Sequence, residues 1–249
     1  MKFELLVGLR YVRAKRRSGS GGGFISFISF VSMAGIALGV AALIVVLSVM
    51  NGFQQELRTR ILGVAAHAQI GAFNGDLPNW ERYARIARQH PEVLATAPFV
   101  QQQAMFTMDQ TVRGSVVRGI EPMLEDKVAD FAKYMRSGKL TDLRAGEFGV
   151  ILGKELASAL GVQTGDKVTL IAPTGLVTPA AVLPRLKQFR VVGIFEAGMF
   201  EFDSGLALIH IKDAQNLYRM GDSVSGVRLQ LTDLFLARSL VDKLVSELP

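Results

Sequence analysis

Side chains that carry chemistry in enzymes are sparse in this sequence. There is no cysteine, and the three histidines, His67, His90 and His210, lie far apart. None stands at metal-ligand spacing from another, so each reads as a surface or packed histidine. Neither a Gly-x-Ser-x-Gly elbow nor a His-Glu-x-x-His pattern occurs. Glu125-Asp126 and the group Glu196, Glu201 and Asp203 are expected to be solvated loop charges and not paired catalytic carboxylates. Met105 and Met108 are expected to fill core. The run Ser18 to Gly23 is glycine-rich but lacks the Lys-Ser/Thr ending of a phosphate loop, and reads as a flexible link. Nothing in the chain nominates an enzyme site or a cofactor of its own.

What remains is the chemistry of binding. Residues Pro173 to Pro184 (PTGLVTPAAVLP) carry no charge and lie between two good strand patterns. Pro173, Pro179, Pro184 and Gly175 make the segment a poor strand, so it is expected to be a loop. Leu176, Val177, Val182 and Leu183 make it unusually apolar for one. Apolar loops of this length are either packed inside or wait for a partner, and both readings stand. Arg185 and Lys187 follow at its base.

The elements that must position this segment begin with a membrane anchor. From Gly19 to Asn51 there is no charged residue, and Phe24 to Met50 is almost wholly apolar. At ~1.5 Å per residue this stretch reaches ~40 Å, enough to cross a hydrocarbon core of ~30 Å. A buried core helix of that length would show a polar stripe, and a secretory signal would be shorter and end at a small-x-small site. Neither feature is present, so one transmembrane helix is expected at 24–50. The net charge of +6 is concentrated ahead of it: six basic residues against Glu4 in the first 23 positions, and 22 basic against 21 acidic in the remainder. That asymmetry predicts a cytoplasmic N-terminal segment at 1–23 and removes the main sequence support for nucleic-acid binding. Residues 51–249 are then expected outside the cytoplasm as one folded domain. Within the span, Ser32, Gly35, Gly39 and Ala42 make a small-residue face, and the Gly35-x-x-x-Gly39 pair would allow close helix packing.

Beyond the span, Gln54–Leu62 is expected to continue the helix. Strands are predicted at 67–72, 93–108, 111–120, 148–152, 167–172, 189–195, 205–211 and 224–231, with helices at 78–89, 154–160, 212–220 and 234–248. Asp109-Gln110 should turn a hairpin, and Gly161 should stop the second helix. Strands and helices mixed with local hairpins predict an α+β fold.

Several blocks together resemble a known family. The stretch FISFISFVSMAGIALGVAALIVVLSVMNGFQQELRTRILG (Phe24–Gly63) is similar to the first membrane helix of the lipoprotein-releasing permeases, the LolC/LolE family. The upstream Arg10–Arg17, GVILGKELASALGVQTGDKVTLIAP (Gly149–Pro173) and FRVVGIFEAGMFEFDSGLALIHIKDA (Phe189–Ala214) fit as well, so the resemblance covers essentially the whole chain. It implies a mechanotransmission-type ABC exporter of the bacterial inner membrane. Such exporters extract acylated lipoproteins and hand them to a periplasmic carrier, LolA. The implied partners are a second permease (a different subunit or a second copy), a LolD-like cytoplasmic ATPase that alone binds ATP, the carrier, the lipoprotein and membrane lipid. The implied periplasmic fold is a mixed α/β porter region with an inserted β-rich sabre region.

Resemblance also assigns roles. In LolC-type subunits a proline-containing loop forms a hook that captures the carrier. Val177-Thr178-Pro179 and Leu183-Pro184 match that pattern, and the implied hook comprises Pro173, Leu176, Val177, Thr178, Pro179, Leu183, Pro184, Arg185 and Lys187. The sequence departs at Thr169, where a second basic residue belongs to the pattern, and at the apolar centre Ala180-Ala181-Val182. Val46, Val49, Met50 and Phe53 match positions that line a lipid cavity between the two permeases, with ordinary lipid-facing side chains as the alternative. Family members have four membrane helices, so the sequence reads as covering the first of them and the outside domain. Two other readings fit an anchored outside domain: a related permease for efflux or cell-wall hydrolase control, which would not need the hook, and a single-span receptor, for which 23 residues before the span are too few to form a signalling domain.

Overall fold

The computed structural model describes residues 3, 7, 10, 22–64, 66–72, 75–177 and 182–247. Helix α1, Gly22–Val64, is a single unbroken helix of 43 residues. Its segment Phe27–Gln55 is long and apolar enough to cross a membrane. Contacts divide the chain into two units, Met1–Leu57 and Arg58–Pro249.

The second unit contains β1 (Ala68–Gly71), α2 (Trp80–Ala87), β2 (Val93–Met108), β3 (Thr111–Ile120), α3 (Pro122–Glu125), β4 (Met135–Ser137), β5 (Gly149–Gly153), α4 (Lys154–Leu160), β6 (Lys167–Val177), β7 (Val182–Phe195), α5 (Phe200–Gly205), β8 (Leu206–His210), α6 (Ile211–Tyr218), β9 (Gly226–Leu231) and α7 (Ala237–Glu247). The nine strands form one mixed sheet. Pairings β2–β3, β3–β8, β8–β5, β5–β7, β7–β6 and β6–β2 close a circuit, so the sheet curls back on itself. The first half of β2 leaves that circuit to pair with β9, which pairs with β1.

Both faces of the central strands are covered, which explains why they read as unbroken apolar runs. On β8, Ala207 and Ile209 enter the main core, while Leu206 and Leu208 enter a second core on the other face. The main core gathers Phe106, Leu170 and Phe189 with Ala84, Leu156, Ala214 and Leu240 from the helices. The second core is closed by Phe131, Leu140 and Leu143, with Phe131 edge-on to Phe195 at 5.6 Å between ring centres. Burying each such aromatic ring removes enough apolar surface to contribute roughly 1.5–3 kcal/mol. The small residue Gly119 lets α6 lie against the sheet: a Cβ there would run into Ala214.

The predicted hairpin at Asp109-Gln110 forms, with Asp109 in the left-handed region at φ 50° and ten residue pairs in register. Helix α4 ends where expected, at Gly161, φ 69°. Three expectations are corrected. First, the described part of 173–184 is strand and not loop: Pro173–Val177 belongs to β6 and Val182–Pro184 to β7. The prolines are tolerated because the ladder is irregular there. Ala172 pairs with Arg185 and Leu176 with Leu183, leaving Pro173, Thr174 and Gly175 opposite Pro184 alone. No N–H is asked of either proline. Second, Glu125 and Asp203 are buried, not solvated. Glu125 pairs with the buried Arg228, and Asp203 accepts from the backbone N–H groups of Ala197 (2.7 Å) and Gly198 (3.0 Å). Third, Met105 is 40% exposed, because it falls on the outer face of β2, whereas Met108 packs against the core.

Candidate functional site

The segment singled out by its chemistry is the end of a two-stranded arm. β6 pairs with β2 only at Thr169–Ile171; beyond Ala172 the described pairing is between β6 and β7 alone. The arm therefore leaves the sheet as a ribbon, its ladder interrupted at Pro173–Gly175 and resumed at Leu176↔Leu183 and Val177↔Val182. Pro173 and Pro184 at the interruption are exposed. Thr178 and Pro179 lie outside the described residues, as does the side-chain surface of Leu176, Val177 and Leu183.

Alternation along β7 decides which way the arm's cations face. Phe189 and Val191 are buried, and Lys187 and Arg185 continue that inward series as half-buried residues. Pro184, Leu186, Gln188 and Arg190 make the exposed series, Leu186 at 63%. The two basic residues are thus turned toward the body of the domain. Arg185 donates from Nη1 to the carbonyl of Leu217 at 2.7 Å. That carbonyl lies in the last turn of α6, where helix carbonyls lack a partner and carry the negative end of the dipole. Lys187 Nζ sits 3.7 Å from the centre of the Phe148 ring, a cation–π contact.

Phe148 is itself held from two sides. Its ring stands edge-on to Phe189 at 5.6 Å, and its N–H donates to Asp213 Oδ2 at 3.1 Å. Asp213, buried in the first turn of α6, also accepts from Gly146 N at 2.7 Å. Phe148 has φ 50°, a conformation a bulky residue adopts only when its surroundings impose it. Helix α6 therefore supports the arm at both ends, through Asp213 and Phe148 at its start and through the Leu217 carbonyl at its finish. Sequence reasoning picked out Arg185 and Lys187 but missed Phe148 and Asp213. Neither stands in a motif, and only the packing of α6 across the sheet brings them to the arm.

Beside the arm's root lies an open hollow of about 600 Å³, lined by Thr107, Asp109, Asp166, Lys167, Thr169 and Gln188 among others. Among the described residues no group of three His, Cys, Asp or Glu side chains is placed to hold a metal ion. The sequence-predicted residues of the span share one helix face by their spacing: Val46, Val49, Met50 and Phe53 recur at three, four and seven positions, and all are exposed. A Cβ built on Gly35 or Gly39 meets nothing within 4 Å.

The model of the MacB-like periplasmic core domain family matches residues 29–245. The lipoprotein-releasing system transmembrane protein LolC of Neisseria meningitidis serogroup B is 50% identical over 244 residues, covering 98% of this chain and 58% of that protein. LolC of Xylella fastidiosa (strain 9a5c) is 44% identical, covering 93% and 54%. LolE of Haemophilus influenzae is 31% identical, covering 100% and 60%. The solved periplasmic region of MacB from Actinobacillus actinomycetemcomitans aligns over 73% of this chain and 76% of its own at 14% identity, with a TM-score of 0.45. The chain spans a little over half the length of these LolC and LolE relatives. With a family model that takes in most of its length and LolC and LolE proteins among its relatives, the chain belongs to the MacB-like periplasmic core domain family, in its LolC/LolE group.

Proposed function

We propose that this chain serves as a permease subunit of an ABC exporter that releases acylated lipoproteins from the inner membrane and passes them to a periplasmic carrier through the arm. The observation that carries this reading is the arm: a two-stranded ribbon leaving the sheet, interrupted by two exposed prolines and ending in an uncharged segment. A projection whose sequence is uncharged and rich in Leu and Val suits binding to a partner, and the relatives' names place them in a lipoprotein-releasing system. In this reading α1 spans the membrane with its basic N-terminal flank in the cytoplasm. Val46, Val49, Met50 and Phe53 face the acyl chains of the lipoprotein, and Gly35 and Gly39 pack against a second permease, a different subunit or a second copy. The chain is a transport subunit and hydrolyses nothing itself; ATP is bound and cleaved by a separate LolD-like ATPase.

The test is site-specific photocrosslinking from Thr178 in the full-length protein, in cells that contain the LolA-like carrier. A crosslink to the carrier from Thr178 that is not given from the exposed Ser158, outside the arm, supports the reading. Undiminished recovery of carrier by a folded variant lacking residues 175–184 sinks it and favours the related permeases that work without a hook.

A further inference from the structure

We infer that the outer face of the β2–β3 hairpin carries a binding site for one carboxylate, formed by the Nε–Nη2 edge of Arg118 and screened by the side chain of Gln101. Alternation along β2 sends Val100, Ala104 and Phe106 into the main core and turns Gln101, Gln103 and Met105 to the other face. Arg118 of β3 stands directly opposite Gln101 in the ladder and shares that face. Arg228 of β9, opposite Ala97, shares it too. Helix α3 lies against β2 there and brings Glu125 onto Arg228.

Charges on this face do not balance. Two guanidiniums meet one carboxylate: Glu125 Oε1 is taken by Arg228, and its Oε2 has no hydrogen-bond partner. Among the described residues no carboxylate stands at ion-pair distance from Arg118, whose contacts are with Gln101. Its Nη1 is buried without an acceptor, and burial pushes its pKa down to about 10. A cation held in such a place without a counter-ion is destabilising, which a purely structural arginine would avoid. The Nε–Nη2 edge of a guanidinium is the one that takes a carboxylate in two parallel hydrogen bonds. Here both groups donate to a single amide oxygen, Gln101 Oε1, at 3.3 and 3.1 Å. A carboxylate would give each N–H its own oxygen at about 2.7–2.9 Å and supply the missing charge. Gln101 is exposed, so its amide can swing aside, while its backbone N–H stays held by Ser225 Oγ at 2.9 Å. The ligand is therefore one carboxylate, from an acidic side chain or a chain end.

The test is thermal unfolding of the full-length protein in detergent, with sodium acetate compared with sodium chloride at equal ionic strength. Acetate at about 200 mM should raise the parent's midpoint about 2–4 °C above chloride. Gln101→Ala, which uncovers the edge, should reach the same rise at about a third of that concentration. Gln101→Glu supplies the carboxylate from the protein itself. Its midpoint should exceed the parent's without acetate, and acetate should add nothing. That extra stability should be present above pH ~4.3, the unfolded glutamate value, and fade as pH falls through the lower folded one. Arg118→Gln should lose the acetate response, and Gln101→Glu decides the matter if Arg118→Gln does not fold. An equal acetate rise in all variants is a general salt effect and overturns the inference. So does a Gln101→Glu protein that is no more stable than the parent or still responds. Two N-acetylated peptides, one with an internal glutamate and an amidated end, the other with only a free C-terminal carboxylate, then identify the source. The one that raises the parent's midpoint at the lower concentration carries the carboxylate the site is shaped for.

Discussion

Replacing Glu125 by Gln should unfold this domain far more readily than a one-atom change suggests. Glu125 is fully buried on α3 and pairs with Arg228 of β9, which is only 3% exposed. Burial and the neighbouring Arg118 both work against the Arg228 charge, pushing its pKa down to about 9. The carboxylate is what makes that charge tolerable, and Gln cannot replace its charge. Removing one partner of such a pair costs about 3–5 kcal/mol, whereas replacing both with apolar residues of similar volume is near neutral. With a urea slope of about 2–3 kcal/mol per molar, Glu125→Gln should lower the unfolding midpoint by about 1–2 M, and Glu125→Leu/Arg228→Met should recover most of it. Trp80, the chain's one tryptophan, packs against the main core and gives the fluorescence signal. The reasoning is refuted if Glu125→Gln costs under about 1 kcal/mol, or if the double variant is as unstable as the single one.

Asp213→Ala strips two backbone N–H groups, those of Gly146 and Phe148, of a charged acceptor in a buried place. It should cost about 2–4 kcal/mol in the same urea assay and release Phe148 from beneath Lys187. Gly153→Ala should be about as damaging or worse, since the added Cβ runs into the backbone of Asp203, which has no room to move. Glu196 joins Lys154 Nζ at 2.9 Å and Arg136 Nε at 2.6 Å, and these hydrogen bonds hold its carboxyl below the usual range. Its contribution is present above the unfolded pKa of about 4.3 and fades as pH falls through the lower folded value. A thermal melt series should therefore show a shallower loss of stability below pH ~4 in Glu196→Gln than in the parent; identical slopes would remove Glu196 from the acid response.

Much of this protein was legible without coordinates because its elements are encoded locally. The uncharged, apolar stretch Phe24–Met50 marked a helix long enough to cross a membrane, and α1 contains that stretch whole. The β2–β3 hairpin followed from two strand patterns around Asp109-Gln110, and the end of α4 from Gly161, since both are decided by what a few residues permit their own backbone to do. The sequence also marked 173–184 as the segment with unexplained chemistry. It could not show that this segment is mostly ribbon, because local rules forbid proline in a paired strand, and only the long-range register of β6 on β7 puts Pro173 and Pro184 where no pairing is required. Nor could it separate the buried Glu125 from the exposed Asp126 beside it: one faces a sheet assembled from residues about a hundred positions away, the other faces solvent. The same holds at the arm. Residue type named Arg185 and Lys187, but whether a cation points at a partner or back at its own fold depends on strand alternation and on a helix laid across the sheet over Gly119, and those are settled only when the chain packs.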